Sequence, residues 1–171
     1  MRIFYLLLIL MSLSCASTKV YTDYDKSIDY SKYTSYDYFL ENTGMSQLDE
    51  KRVMSAIDSL MSAKNITQKT IPDFSINFYA EFYTVETQNS IGVGVGTGGT
   101  NVGGSVSSDI PIRSQKDMIA LTIECVDALT KELFWQGVME RKMREFKHPS
   151  ERDVYIKEIV SNILNEFPPE S

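Results

Sequence analysis

Positive charge is scarce in this sequence, and so are the residues that most often carry out chemistry. Seventeen Lys and Arg stand against 23 Asp and Glu over 171 residues, a formal net charge of −6. Phosphate backbones repel such a chain, which excludes nucleic acid as a partner. No polybasic run stands out to hold an anionic membrane surface. Histidine occurs once, as His148, and cysteine twice, as Cys15 and Cys125. Two cysteines build no disulfide framework, and one histidine far along the chain from either thiol builds no nucleophile-base pair. No metal-ligand spacing is present, so no catalytic residue, metal or cofactor is expected. Proline is sparse and glycine is unevenly spread, with seven of nine glycines in 91–106. That stretch ends without the Lys-Ser or Lys-Thr of a phosphate-cradling loop and without a helix start, which excludes a nucleotide site.

What the sequence does have is hydrophobic pattern. Its 43% hydrophobic and 11% aromatic residues suffice for one sizeable core at this length. The N-terminus is separate from it. Arg2 precedes the apolar run 3–11, which is too short to span a bilayer, and Ser12 and Ser14 flank Leu13 just before Cys15. This layout predicts a secretory signal over 1–14. It resembles a bacterial lipobox, with the leucine one step closer to the cysteine than usual, so Cys15 is expected to be acylated and to begin the mature chain. Residues 15–19 then form a tether, because the four residues after Cys15 reach roughly 14 Å when extended. The membrane partner is engaged through that lipid, and localisation is expected at the outer membrane.

Residues 119–125 alternate apolar and polar, and a second apolar run begins at Leu133. Between them Asp127 and Thr130 favour a turn by bonding nearby backbone groups, which predicts a hairpin carrying the only Trp, Trp135. Phe74, Ile76, Phe78, Ala80 and Phe82 alternate with Ser75, Asn77, Tyr79, Glu81 and Tyr83, as one long strand with a buried phenylalanine face. Two tyrosine-rich stretches, 20–25 and 33–40, are expected as strands joined by a polar turn, with Tyr36, Tyr38 and Leu40 on one face. Residues 48–64 carry Val53, Ile57, Leu60 and Met61 at helical spacing behind the N-cap candidate Ser46, with Asn65 at the end. Pro149 opens a second helix that runs to Phe167. The expected fold is α+β: a two-layer sandwich in which a mostly antiparallel or mixed five-stranded sheet (20–25, 33–40, 73–87, 118–126, 133–143) packs two amphipathic helices on one face. A single domain covers 20–169, with a flexible Gly-rich loop at 91–108.

Cys125 falls on the apolar side of its strand, where a thiol acts as a small core hydrophobe. Asp23, Asp25 and Asp29 lack the Gly and closing Glu of a calcium loop. Tyr36, Tyr38, Tyr79 and Tyr83 form the candidate binding surface on the open sheet face, since tyrosine presents an apolar body and a polar tip. Glu81, Glu124 and Asp127 are the strand-borne carboxylates a hydrolase would require.

The early Asp23-Tyr-Asp25, the Asp29-Tyr-Ser-Lys-Tyr33 stretch with Tyr36, the hairpin from Val126 to Gly137 and the closing Phe167-Pro-Pro169 together resemble the bacterial lipoproteins grouped as domain of unknown function 4136. The resemblance implies an outer-membrane lipoprotein with an α+β domain and supplies no catalytic residue. It also implies a left-handed backbone at Lys131, where the family often has Gly. The function expected is a non-enzymatic binding or scaffolding module facing the periplasm, with an envelope protein or glycan as partner; the alternative is a periplasmic hydrolase or a glycan-binding protein working from the same sheet face.

Overall fold

A computed structural model describes residues 19–94 and 107–169. Cys15, the signal segment and the central part of the Gly-rich stretch lie outside the described residues. The chain is α+β, with two helices and a mixed sheet. Its strands are β1 (Val20–Tyr24), β2 (Ser35–Tyr38), β3 (Thr67–Gln68), β4 (Phe74–Gly94), β5 (Ser107–Asp127) and β6 (Leu133–Lys142); its helices are α1 (Gln47–Ala63) and α2 (Pro149–Asn165). The spatial order is β1-β6-β5-β4-β2-β3, antiparallel except for β2, which runs parallel to both β3 and β4. The sheet therefore has six strands where five were expected. The added strand, β3, is two residues long, too short to leave an alternating pattern in the sequence. No described helix is long and apolar enough to cross a membrane.

The two tyrosine-rich strands do not pair. β1 lies against β6 at one edge and β2 against β4 on the far side of the hairpin. Between them Asp29 accepts the Ser31 N–H at 3.0 Å and caps a 3-10 turn (Tyr30–Lys32) that carries the chain across the sheet end. Beyond it Tyr33 stacks on Phe134, with centroids 4.1 Å apart and planes within 9°. Phe134 reaches that position because the β5–β6 register slips between Cys125 and Val126, a bulge that leaves consecutive Phe134 and Trp135 both buried.

One hydrophobic cluster joins alternate positions of the sheet to both helices. Phe74, Ile76 and Phe78 of β4, Leu121, Ile123 and Cys125 of β5, and Trp135 and Met139 of β6 share it with Val53, Ile57 and Met61 of α1 and with Ile156, Ile159, Val160 and Ile163 of α2. Close approach of α2 to β6 rests on Gly137: a Cβ built there lies 2.6 Å from Ile163 Cγ2 and 2.7 Å from Trp135 Cη2. The helices run side by side with their N-termini at the same end. Buried Asp49 in the first turn of α1 receives Arg152 at 2.7 and 2.6 Å and Arg52 at 3.0 Å, and Arg52 also bonds Asp153. The Arg152 hydrogen bonds, more than the burial that opposes them, hold the Asp49 carboxyl below the usual range. Helix α1 ends as the sequence indicates, with Asn65 in the left-handed region at φ 61°.

Beyond the Tyr83–Met118 pair, β4 and β5 continue as a ribbon of two strands, 84–94 against 107–117. Parts of the expected loop are thus strand, namely 91–94 and 107–108. At about 3.4 Å per residue, the eleven rungs make a ribbon roughly 37 Å long.

Candidate functional site

Strand alternation gives every core residue of β4 and β5 a neighbour on the opposite face, and the register decides which of those neighbours meet. Across β4 and β5, Ser75 faces Val126, Asn77 faces Glu124, Tyr79 faces Thr122 and Glu81 faces Ala120. Gln136, Val138 and Glu140 of β6 extend these rows, and Asp23 and Tyr21 of β1 complete the first two. This open face is polar at the β2 side and more apolar across its middle.

At the β2 side it holds a recess of about 340 Å³ lined by Phe39, Glu41, Ser75, Asn77, Glu124, Val126 and Lys131. Three local features build it. The chain leaves β2 still alongside β4, with the Phe39 N–H donating to Ile76 O at 3.0 Å, and presents the Phe39 ring 61% exposed. Asn77 Nδ2 donates to Glu124 Oε2 at 3.1 Å, which fixes one carboxylate oxygen and leaves the other for a ligand. Lys131, in the hairpin turn, takes φ 63° as the resemblance implies, and lines the same recess. An aromatic surface, an amide, two carboxylates and one ammonium suit a polar ligand with an apolar side, whether a sugar ring or an extended peptide.

The four tyrosines of the expected surface divide between the two faces. Tyr36 is 2% exposed and Tyr38 is half-buried, and both phenols donate to the same oxygen, Asp58 Oδ1 of α1, at 2.7 and 2.6 Å. Desolvation first, and the Asp58 carboxylate second, push both phenols far above their ordinary range. They are helix-anchoring groups and are removed from the candidate surface. A period of two separates two faces without saying which is covered, and here Asp58, twenty residues on, decides. Tyr79 is half-buried and Tyr83 exposed, both on the open side by register. Phe39, on the other side of β2 from Tyr36 and Tyr38, is the aromatic that sequence reasoning passed over. Its signal was present in the alternation of 35–40.

The three carboxylates weighed for hydrolysis are dispersed. Only Glu124 lines the recess. Asp127 accepts the Thr130 and Leu129 N–H groups at 2.9 and 2.8 Å, and receives the Tyr33 hydroxyl at 2.8 Å and Lys32 Nζ at 3.3 Å. Backbone bonding from Thr130 is the largest cause that holds its carboxyl far below the usual range, so it is a turn-fixing group. Asp25 and Asp29 are likewise spent on the N–H and hydroxyl of Ser27 and Ser31. Cys125 is fully buried, and burial pushes its thiol up, while His148 sits exposed at the N-cap of α2.

The family model described as a domain of unknown function, DUF4136, matches residues 20–169. No curated protein matches the chain. Among solved structures, a PDZ domain protein from Parabacteroides distasonis superposes at TM-score 0.60 with 12% identity over 90% of this chain, which spans only 36% of that protein. A PelC dodecamer from Paraburkholderia phytofirmans superposes at TM-score 0.52 with 9% identity, over 91% of this chain and 100% of that one. A minor lipoprotein from Acinetobacter baumannii gives TM-score 0.36 with 8% identity, over 79% of this chain and 89% of that one. The first two likenesses are likenesses of fold.

Proposed function

The chain belongs to the DUF4136 family, and from that premise we propose that it is a lipid-anchored, non-enzymatic binding module of the bacterial envelope, held at the periplasmic face of the outer membrane. The anchor is Cys15, and the ligand is an envelope protein or glycan taken on the open face of the sheet. One observation carries the reading: the recess beside exposed Phe39, where Asn77 and Glu124 are preset by a hydrogen bond and which Lys131 also lines. Among the described residues, the carboxylates whose titration the fold displaces, Asp25, Asp29, Asp49, Asp73 and Asp127, are all displaced downward. A general acid requires the opposite, and this supports binding over hydrolysis.

The test places a photo-crosslinking amino acid at Phe39 in living cells, with Ile71, exposed outside the recess, as the control position. One recurrent adduct at Phe39, absent from Ile71 and lost on Glu124→Arg, is the expected result. Equal capture at both positions, or capture indifferent to Glu124, overturns the site. Intact mass of the membrane-extracted protein reads the anchor separately, an unacylated chain counting against it.

A second reading concerns assembly. The PelC neighbour is a dodecamer, and the ribbon 84–94/107–117 is two strands paired with each other whose outer edges, apart from the Met143 N–H to Asp117 O bond, have no backbone partner among the described residues. Unpaired edges are templates for another strand. On this reading the native mass is a multiple of the protomer, and a monomer at all concentrations rejects it.

A further inference from the structure

The recess on the open face is left with one uncompensated charge. Glu41, Glu124 and Lys131 are the charged residues that line it, and none of the three makes an ion pair among the described residues. Two carboxylates less one ammonium leave one negative charge for a ligand to meet. The Glu124 carboxylate is already oriented, since Asn77 Nδ2 occupies one of its oxygens at 3.1 Å, and the residue is half-buried. Glu41 is exposed on the chain that leaves β2.

The surroundings do not restore the balance. By register Asp37 stands beside Ser75 and Asp23 beyond Gln136, and Glu81 follows along β4. Asp73 and Glu132 flank the hairpin turn, where their carbonyls accept the N–H groups of Ala128 and Asp127. Among the cations, Lys69 sits on the β3 edge with its N–H on Tyr36 O, and Lys32 is spent on Asp127 at 3.3 Å. Lys19 lies over the Tyr21 ring on the opposite edge strand. Lys142 faces Met118, about 20 Å along the strand from the Asn77–Glu124 pair, which is about two Debye lengths at physiological salt.

Chemistry narrows what can supply the missing charge. Beside the carboxylates the recess presents the Phe39 ring, 61% exposed. A guanidinium stacks on an aromatic face and carries its donors in its own plane, so it meets both acids while lying on the ring. An ammonium is a compact charge that holds its water more tightly. A neutral sugar would leave the charge uncompensated. At about 340 Å³ the recess also lies at the small end of the usual range for ligand sites. That volume suits one long side chain better than a run of sugar rings.

We propose that the recess takes a guanidinium, the side chain of an arginine presented by a protein partner, with its plane on Phe39 and its donors on Glu41 and the free oxygen of Glu124. The inference rests on the recess being the binding site, as under the proposed function, and decides there between protein and glycan. Lys131 is then an opposing charge, which lowers affinity and limits the site to a single cation.

The full chain, isotope-labelled and extracted from membranes into detergent, tests this by amide NMR. It is titrated with Nα-acetyl-arginine amide, with the citrulline analogue as an uncharged isostere, and with N,N′-diacetylchitobiose. Saturable shifts at the amides of Phe39, Asn77, Glu124 and Lys131 are expected with the arginine probe, and binding at least about tenfold weaker with citrulline. Glu124→Gln, which can still accept from Asn77, should weaken the arginine probe about tenfold, and Phe39→Leu about two- to fivefold. Lys131→Gln should strengthen it. Equal binding of citrulline, or an arginine affinity indifferent to Glu124 and Lys131, overturns the proposal. Chitobiose shifting these amides where arginine does not overturns the guanidinium and retains the recess. If no probe shifts them the guanidinium is likewise rejected, and the Phe39 adduct in cells decides independently whether the recess stands.

Discussion

Substituting Gly137 by alanine tests the packing of the fold at its tightest point. The added Cβ would stand 2.6 Å from Ile163 Cγ2 and 2.7 Å from Trp135 Cη2, roughly 1 Å inside an ordinary carbon contact of about 3.5–4.0 Å. Neither neighbour has room to yield, because both are fully buried and Trp135 packs edge-on against Phe167 at 5.1 Å. Overpacking of this kind costs about 1–3 kcal/mol, and contacts on both sides of the new methyl argue for the upper half of that range. For a domain of this size that lowers Tm by roughly 4–12 °C. Urea unfolding of Gly137→Ala followed by Trp135 fluorescence measures the cost. A cycle with Ile163→Ala isolates the cause. Ile163→Ala alone should cost about 2–5 kcal/mol for the cavity, and in its background Gly137→Ala should cost at least about 1 kcal/mol less. A neutral Gly137→Ala, or a cycle additive to within about 0.5 kcal/mol, would show that α2 does not ride on β6 at this contact.

Three further outcomes follow from groups described above. Lys131→Gly should raise stability by about 0.5–1 kcal/mol, because the left-handed backbone costs a non-glycine residue about 1–2 kcal/mol and glycine returns part of that gain as chain entropy; destabilisation in a denaturant titration would contradict it. Asp58→Ala should cost more than Tyr38→Phe, since it strands two phenol hydroxyls where the latter removes one, a comparison read from paired unfolding curves. Asp127 and Asp49 have folded pKa values below their unfolded ones, so their stabilisation is complete above the unfolded carboxylate range near pH 4 and is lost as pH falls through the lower folded values. Asp127→Asn should accordingly flatten acid unfolding below about pH 4, and an unchanged acid limb in circular dichroism would count against its role.

How far the fold was legible depends on how local each signal is. The alternation of 74–82 and 119–125 marked the central strands, Ser46 and Asn65 marked the ends of α1, and Asp127 marked the hairpin turn. Each of these is read within a few residues of itself. What escaped was set by distant partners. β1 and β2 are short strands whose neighbours, β6 and β4, lie far along the chain, so closeness in sequence suggested a pairing that the capped turn at 30–32 prevents. The tyrosines of β2 were assigned to the open face because nothing in 35–40 announces Asp58. The recess was missed for the same reason: Phe39, Asn77, Glu124 and Lys131 come from four segments, and only the register of β4 against β5 brings them to one place.

The pairing of β1 also sets how the domain bears load. A pull on the chain before Val20 that is directed along β1 acts on five residues that lie rung by rung against 135–139 of β6. The force is then shared across all the rungs in shear, so they yield together and late. A pull directed across the strand would instead peel it from β6 one rung at a time. The edge strand is thus the part of the fold that converts tension on the chain before it into a grip on the core.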